Sequence, residues 1–388
     1  MMQPLRILFS HNYYQLRGGE DSVADAEPLL LNNNGCVVET FLRHNDDIGD
    51  ISPLRAVLGT FWSRKTHEDV VSIISRFKPD VIHVHNTFPL ISPSIYWAAS
   101  SAGIPIVQTL HNFRLLCPQA MLLREGGVCE DCLGKLPNGA ILRKCYRGSL
   151  PQSAVLAGML TFHRMLGTWQ HKVTRYIALN EFCRNKFIQG GLPAERISVK
   201  PNFVDVPAPA STRREGGLFV GRLSPEKGIE VLLGALDRLE DTVIEIVGTG
   251  PEQERVQDHP RTRCLGALNQ DEVMNKMRDA AYLVMPSIWY ENFPRTLVEA
   301  FACGLPVIAS RLGAMAELVR DGETGLLFEP GNADDLTKKI AWAKANPEKM
   351  CEMGTRARQE YEAKYTPEIN YNQLMTIYAD AIAAAKQV

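Results

Sequence analysis

The sequence has 388 residues, of which 45% are hydrophobic and 22% are charged, and 42 Lys and Arg against 44 Asp and Glu give a net charge of -2. Such values are typical of a soluble globular protein of two domains, or three. They exclude a strongly basic nucleic-acid-binding chain and an acidic tail, while a local basic patch stays open.

The beginning of the chain, MMQPLRILFS, has one arginine and then a strand-like run, without the longer apolar core of a signal peptide. We therefore expect a cytoplasmic location. From Val81 to Phe113 there is no Asp, Glu, Lys or Arg, and a membrane span is one interpretation of that stretch. Its three prolines and three histidines favour a buried strand–helix–strand segment instead.

Short apolar runs bounded by turn residues predict parallel strands in the first half of the chain, with helices between them. The predicted strands are Arg6–Ser10, Cys36–Phe41, Val81–Val84, Ile106–Leu110 and Tyr176–Leu179, and the predicted helices include Asp21–Leu31 and Glu68–Phe77. This alternation is typical of a doubly wound α/β domain.

The same alternation restarts at Gly217. The predicted strands there are Leu218–Gly221, Val243–Val247, Tyr282–Met285, Pro306–Ala309 and Gly325–Phe328, and the predicted helices are Gly228–Leu239, Asn269–Ala280 and Pro294–Cys303. The fold class we predict is therefore α/β, with two doubly wound Rossmann-like domains.

The predicted domain boundary lies in Pro201–Gly217, where Pro, Ala, Ser and Arg are too frequent for a core strand. We divide the chain into residues 1–203, 204–366 and a final helix within 367–388 that crosses back to brace the first domain. Doubly wound domains bind ligands at the carboxyl ends of their strands. If the two domains face each other, those ends line one interdomain cleft.

The most informative motif reads S-I-W-Y-E-N-F-P-R-T-L-V-E-A-F-A-C-G-L-P-V-I-A-S. Glu291 ends a loop after a predicted strand, Pro294 suits the first turn of a helix, and Glu299 lies further into that helix. The free N–H groups of the helix start form an anion site, and the Glu299 carboxylate can accept hydrogen bonds from vicinal hydroxyls. The alternative is two surface glutamates favoured by the helix dipole.

Two further strand ends carry candidate ligand groups. In V-G-R-L-S-P-E-K-G, Arg222 and Lys227 can clamp a diphosphate, unless they belong to a solvated charged turn. In V-G-T-G-P, Gly248 and Gly250 would let a ligand approach the backbone, although this motif lacks the full dinucleotide-binding fingerprint.

A glycine pair follows the first predicted strand, in L-R-G-G-E-D-S. Gly18 and Gly19 can bring the backbone close to a phosphate or a sugar. The simpler interpretation of this segment is a helix start with Asp21 or Ser22 as an ordinary N-cap.

Together these motifs resemble the retaining glycosyltransferases of family 4, which have the GT-B fold. The resemblance covers nearly the whole chain, and its most specific part is the E-x7-E pair Glu291 and Glu299. G-R-L-S-P-E-K-G and the N-terminal G-G-E loop add to it.

The resemblance implies a role for each matching residue. Arg222 and Lys227 would bind the donor diphosphate, Glu299 the nucleotide ribose, and Glu291 would lie beside the donor sugar. The segment that would contact sugar or phosphate through its backbone amides is Asn292, Phe293, Pro294 and Arg295. His111, in Q-T-L-H-N, matches a histidine near the donor sugar; without the family it would be interpreted as a core or strand-end histidine.

One departure concerns the residues after Glu291. Many relatives carry Gly directly after the first Glu and again two residues on, where this chain has Asn292 and Pro294. The resemblance implies a nucleotide-sugar donor, a glycan or lipid-linked glycan acceptor, a role in cell-surface polysaccharide synthesis and no metal for catalysis. The alternatives are a GT-B-fold epimerase or phosphorylase and a non-enzymatic carbohydrate-binding module.

Four of the nine cysteines cluster in a predicted insert at residues 113–147 of the first domain. Cys117, Cys129, Cys132 and Cys145 include one C-x2-C pair and suit a structural zinc site, which would order a loop poor in apolar residues. Reduced free thiols and disulfides stay open.

The stretch Gly148–Trp169 has few charges but is too short to span a bilayer. It predicts a buried helix or one at a membrane interface. We expect no nucleic-acid partner, because the cysteine segment lacks a cluster of Lys and Arg, whereas peripheral contact with the inner face of a membrane is open.

Overall fold

Two parallel six-stranded sheets organise the computed structural model, which describes residues 3–206 and 214–386. Contacts within the chain define a first unit of Met1–Met121, Glu130–Asn202 and Asn370–Val388, and a second unit of Leu122–Cys129 and Phe203–Ile369. Residues 207–213 of the predicted linker lie outside the described residues, and Gly217 already begins a strand. Each sheet confirms the doubly wound α/β prediction.

The sheet of the first unit has the strand order β2-β1-β3-β4-β7-β8, and all its neighbours are parallel. Its strands are β1 (Arg6–Tyr13), β2 (Val37–His44), β3 (Val81–Val84), β4 (Ile106–Thr109), β7 (Arg175–Ala178) and β8 (Ile197–Val199). The strands β5 (Leu123–Arg124) and β6 (Gly127–Val128) form a separate antiparallel hairpin, which belongs to the second unit by its contacts. The helices are α1 (Gly19–Asn33), α2 (Pro53–Phe61), α3 (Arg64–Phe77), α4 (Ser94–Ser101), α5 (Asn138–Leu142), α6 (Leu150–Met165), α7 (Thr168–His171) and α8 (Glu181–Gln189).

The uncharged stretch from Val81 to Phe113 contains β3, α4 and β4, as predicted. Every residue of β3 and β4 is buried because helices cover both faces of a parallel sheet. In the described residues no helix is long and apolar enough to cross a membrane.

The sheet of the second unit has the strand order β11-β10-β9-β12-β13-β14. Its strands are β9 (Gly217–Val220), β10 (Ile244–Val247), β11 (Thr262–Gly266), β12 (Tyr282–Met285), β13 (Val307–Ser310) and β14 (Gly325–Phe328). The helices that follow α8 are α9 (Ile229–Leu236), α10 (Gln253–Gln257), α11 (Gln270–Asp279), α12 (Arg295–Ala302), α13 (Gly313–Leu318), α14 (Ala333–Ala345), α15 (Pro347–Lys364) and α16 (Pro367–Ala385). Two apolar clusters, one around Phe301 and one around Leu336, form its core.

The last helix supplies part of the core of the first unit. Leu374 and Tyr378 of α16 are buried in the same cluster as Ile7, Val81 and Val107. The final helix therefore completes the layer of helices on one face of the first sheet.

Two edge strands were absent from the predicted elements. β8 has three residues, and β11, with the sequence TRCLG, is only partly buried. Edge strands face solvent on one side and do not need the continuous apolar run that identifies a central parallel strand.

The predicted helix starts differ from the observed ones by one to four residues, and two of these differences lie in motifs of the candidate site. Gly18 is the N-cap of α1, and Asp21 is its third residue, with a carboxylate that accepts from the Gly18 N–H at 2.9 Å. Pro294 is the N-cap of α12, so that the helix begins at Arg295. In both places a residue with an extended or irregular backbone precedes the first helical turn.

Candidate functional site

The carboxyl ends of β9 and β10 form two connected turns in the second unit. The N–H of Gly221 donates to the carbonyl of Val247 at 3.0 Å, and the N–H of Leu223 donates to Thr249 at 2.9 Å. Arg222 lies between these two anchored residues and is exposed. The turn therefore holds the backbone of Arg222 while its guanidinium faces solvent.

Gly248 and Gly250 are required by the protein's own backbone. A Cβ on Gly248 would lie 1.9 Å from the carbonyl oxygen of Gly221, and one on Gly250 would lie 2.3 Å from that of Leu223. Both have positive φ angles of 135° and 158°. The close approach that we predicted for a ligand is thus made by the neighbouring turn, so these glycines position the loop that carries Arg222.

Glu291 lies in the loop after β12, where three donors surround its carboxylate. Lys227 Nζ is 2.7 Å from Oε1, Ser287 Oγ is 2.8 Å away, and Trp289 Nε1 is 3.1 Å away. The residue is 6% exposed. Lys227 and Glu291, which the sequence places 64 positions apart, therefore form one charge pair at the carboxyl edge of the sheet.

Glu299 is also nearly buried, at 6% exposure. Its Oε1 accepts from Arg295 Nε at 2.9 Å and from Gln270 Nε2 at 3.0 Å. The carboxylate is thereby oriented by one residue of its own helix and by the first residue of α11. Gln270 was absent from the residues predicted from sequence.

The start of α12 offers hydrogen-bond donors. The N–H groups of Phe293, Arg295 and Thr296 donate to no acceptor within residues 3–206 and 214–386. Pro294 has no N–H, so it contributes shape and not a donor. Asn292 is buried. The second unit thus combines free amides, two cations and two fixed carboxylates at the edge where doubly wound folds bind ligands.

In the first unit, the G-G-E loop after β1 carries a buried carboxyl group, that of Glu20. Gly18 and Gly19 have open space where a Cβ would lie, so the loop geometry does not itself demand glycine there. Glu20 Oε2 accepts from Asn112 Nδ2 at 3.1 Å, while its Oε1 has no partner among the described residues. Burial raises the pKa of Glu20 to about 7.

His111 follows β4 and is hydrogen bonded to a second histidine. Its Nε2 lies 2.7 Å from Nδ1 of His85, and His85 Nε2 lies 3.1 Å from Glu27 Oε1. Glu27 Oε2 in turn lies 3.2 Å from Nζ of Lys200. His111 is thus the partly exposed end of a buried polar chain, not an isolated core histidine.

The sequence does not predict this row of hydrogen-bonded side chains, because its members come from four separate segments. One available signal was the alternation of His83 and His85 at the end of an otherwise apolar strand. Glu27, His83 and His85 could also ligate a metal ion, because one potential ligand atom of each lies within 4.8 Å of the others. Within the described residues they are the one such group of three side chains. The cysteines are not part of that group.

The four cysteines lie along irregular backbone. Cys117 is buried after β4, Cys129 follows β6 and donates its N–H to Leu122, and Cys145 follows α5 and donates its N–H to Ala140. Cys132 lies in a turn between β6 and α5. Zinc binding by these residues stays a prediction.

Known families match both halves of the chain. The model of Glycosyltransferase Family 4 matches residues 48–207, and that of Glycosyl transferases group 1 matches residues 209–360. A glycogen synthase of Mycobacterium tuberculosis is 30% identical over 80% of this chain and 70% of its own length. A phosphatidyl-myo-inositol mannosyltransferase of Mycobacterium leprae is 30% identical over 58% of this chain and 64% of its own.

Solved structures share the fold. Sucrose-phosphate synthase from Thermosynechococcus elongatus aligns with a TM-score of 0.73 at 18% identity, covering 98% of this chain and 100% of that one. Anabaena HepE in complex with UDP-glucose aligns with a TM-score of 0.67 at 21% identity, covering 97% and 100%. The match to the sulfoquinovosyl transferase SQD2 of Arabidopsis thaliana, at 26% identity over 76% of this chain, spans only 55% of the plant protein.

The paired α/β units, the E-x7-E pair and these matches define a glycosyltransferase with the GT-B fold. The chain belongs to glycosyltransferase family 4.

Proposed function

We propose that the protein is a retaining glycosyltransferase that moves a sugar from a nucleotide-sugar donor to a glycan or lipid-linked glycan. The observation that carries this proposal is the Lys227–Glu291 pair, at 2.7 Å, beside the free amides of the α12 start. A cation and helix amides suit a diphosphate, and a fixed carboxylate suits the sugar attached to it.

Glycosyl transfer needs stabilisation of the departing diphosphate. Arg222, Lys227 and the N–H groups of Phe293 and Arg295 supply positive charge and donors for it. We therefore propose that turnover needs no divalent cation.

Glu299 is proposed to hold the ribose. Its Oε1 is occupied by Arg295 and Gln270, and a carboxylate has lone pairs left on Oε2 for a pair of vicinal hydroxyls. Glu291 would orient the sugar or stabilise positive charge at its anomeric carbon. We assign no nucleophile, and retention of configuration rests on membership of the family.

The donor and acceptor classes draw on the printed names of relatives. HepE is described in complex with UDP-glucose, and the relatives include a phosphatidyl-myo-inositol mannosyltransferase, a D-inositol 3-phosphate glycosyltransferase and a GDP-mannose-dependent alpha-mannosyltransferase. Donors of this kind and a glycan or lipid-linked acceptor in cell-surface polysaccharide synthesis are our proposal for this chain. The alternatives, an epimerase, a phosphorylase or a carbohydrate-binding module, predict no transfer of sugar from a nucleotide-sugar donor to a glycan or lipid-linked acceptor.

Peripheral membrane contact and a cytoplasmic location belong to the same proposal. Apolar side chains at the surface of the first unit support it, among them Leu54 and Leu58 of α2 and Met165 of α6, which are 69%, 60% and 82% exposed. Sedimentation with anionic and neutral lipid vesicles tests this contact. Leu54→Ser/Leu58→Ser should reduce binding, whereas Leu142→Ser, at a side chain that is 80% exposed, should not.

The decisive experiment incubates the protein with pooled UDP-, GDP- and ADP-sugars and a membrane-lipid extract, followed by mass spectrometry. A product heavier by one sugar residue and release of the matching nucleoside diphosphate support the transferase. Lys227→Met should abolish product, while Lys349→Met, on the exposed surface of α15, should not. A donor consumed without any acceptor gaining mass would favour the epimerase or a hydrolytic activity.

The products also test the two finer proposals. Nuclear magnetic resonance of the new linkage shows whether the configuration at the anomeric carbon is retained; inversion would overturn the assignment. Turnover should persist in EDTA after a short incubation, too brief for loss of a structural metal. Loss of activity that Mg²⁺ or Mn²⁺ restores would overturn the proposal of metal-independent transfer.

A further inference from the structure

The buried polar chain of the first unit begins with one full charge pair. Glu27 and Lys200 have side chains that are both 1% exposed, and their Oε2 and Nζ lie 3.2 Å apart. Lys200 Nζ also donates to Asn370 Oδ1 at 3.0 Å. Because these two charges neutralise each other, a further charge among the buried side chains hydrogen bonded to them would have no counter-charge.

The ionised carboxylate determines which nitrogen of His85 carries the proton. A carboxylate only accepts hydrogen bonds, so Nε2 of His85, 3.1 Å from Glu27 Oε1, must be the donor. His83 Nδ1 lies 3.0 Å from the same oxygen. Burial lowers the pKa of His85 to about 3, so the ring is neutral and its Nδ1 carries a lone pair.

The tautomer of His111 follows by the same rule. His85 Nδ1 is an acceptor, so His111 Nε2, at 2.7 Å, must be the donor. Burial also lowers the pKa of His111 well below its ordinary value, so this ring too is neutral. Neutral imidazole has one N–H, and a donor at Nε2 leaves a lone pair at Nδ1.

We infer that Lys200, Glu27 and His85 are positioning residues that fix His111 as a hydrogen-bond acceptor at Nδ1. If His111 contacts the sugar, which rests on the proposed function, it accepts a hydrogen bond from a sugar hydroxyl. It does not donate a proton to the leaving group. His111 Nδ1 thereby favours substrates that present a hydroxyl group to it. Analogues that present only a hydrogen-bond acceptor or a hydrogen atom to Nδ1 are disfavoured.

The same atoms could be considered for a metal, since Glu27, His83 and His85 are all buried and close together. Lys200 argues against that role, because its ammonium group already occupies the carboxylate. His83 is likewise engaged, with Nδ1 2.7 Å from the hydroxyl of Tyr378 and Nε2 2.9 Å from Thr109 Oγ1. The cluster is therefore a proton-ordered network.

The tautomer can be measured without substrate. The full-length protein labelled with ¹⁵N-histidine gives ring nitrogen shifts that distinguish protonated from unprotonated nitrogens, and His111→Asn identifies the His111 signals by their loss. We expect an unprotonated Nδ1 and a protonated Nε2 between pH 6 and 8. A protonated Nδ1 would overturn the inference, whatever the protein transfers.

A variant tests the positioning role. In His85→Phe the ring volume is kept and the acceptor is lost, so the Nδ1 signal of His111 should move towards that of a tautomer mixture, and kcat/KM should fall about 2- to 10-fold, the range for one hydrogen bond. In a His111→Ala background the same change should have no further effect. His259→Phe, in the second unit, is the matched control.

The outcomes distinguish a failure of the His111 tautomer assignment from a failure of the proposed function. A further loss from His85→Phe in the His111→Ala background would indicate a merely structural role and refute positioning. If His85→Phe does not fold, the wild-type spectrum alone decides. An unprotonated Nδ1 in a protein that transfers no sugar would leave the tautomer assignment intact and refute the proposed function instead.

Discussion

Replacing Lys200 with methionine should destabilise the first unit strongly, because it leaves the Glu27 carboxylate buried without a cation. At the observed 3.2 Å separation, Coulomb attraction at an effective dielectric constant of about 20 is worth about 5 kcal/mol. Removal of one partner from a buried ion pair costs about 3–5 kcal/mol in measured cases. We therefore expect Lys200→Met to lower the free energy of unfolding by about 3–5 kcal/mol.

The matched comparison is the double variant Glu27→Gln/Lys200→Met, in which no charge is buried. It should recover most of the loss, to within about 2 kcal/mol of the wild type, since neutral replacements of buried ion pairs are often tolerated. Urea unfolding of the wild type, both single variants and the double variant gives the coupling energy directly.

The pH dependence gives a second check on the same pair. The Lys200 ammonium and the neighbouring histidines hold the pKa of Glu27 well below its usual range despite burial. Its stabilising contribution is therefore present above the unfolded pKa and is lost as the pH falls through the folded value. The deficit of Lys200→Met should shrink at acid pH. A deficit under 1 kcal/mol at pH 7, or a double variant no more stable than Lys200→Met, would refute the argument.

Three other predictions concern separate parts of the molecule. Glu299→Ala should weaken donor binding by about 1.5–3 kcal/mol, the range for a hydrogen bond to a charged group, as measured by calorimetry with the free nucleoside diphosphate; unchanged affinity would remove Glu299 from the site. Because the pKa of Glu20 in the folded protein is about 7, the free energy of unfolding should fall as the pH rises from about 4.5 to 7. Glu20→Gln should become more stable than the wild type by up to about 3 kcal/mol across that window. A stability difference that does not depend on pH would contradict the raised pKa of Glu20. Purified protein should carry about one zinc per chain. Cys129→Ser should lose the zinc and impair acceptor use more than donor binding, whereas Cys351→Ser, on the exposed surface of α15, is the control. Four alkylatable thiols in metal-free protein would exclude the zinc site.

The central strands were predictable because their burial on both faces demands a continuous apolar run. The central strands Val81–Val84 and Tyr282–Met285 match the predicted bounds without change. The edge strand Gly325–Phe328 does so too, because all its residues are buried as well. The edge strand Thr262–Gly266 was missed because one side of it faces solvent and its residues are mixed. The alternation of elements therefore predicts the fold class better than the width of each sheet.

The site was predictable where chemistry and spacing fall within one loop, and not where it depends on distant segments. Glu291 and Glu299 could be selected from a single motif, whereas the pairing of Glu291 with Lys227 requires two strand ends to be adjacent. Gly248 was selected for a ligand, but the carbonyl of Gly221 explains its glycine. Lys200 carried no local signal at all.

The placement of α16 has a consequence for the order in which the protein matures. A ribosome makes β1, β3 and the residues around Lys200 long before it makes Tyr378, whose hydroxyl lies 2.7 Å from His83, and Asn370, which binds Lys200. Until those residues emerge, the nascent first unit has an uncovered sheet face and unsatisfied buried polar groups, and each costs about 1–3 kcal/mol. Almost all of the second unit lies between these two parts in the sequence and is thus free to fold first, whereas maturation of the first unit waits for the synthesis of α16.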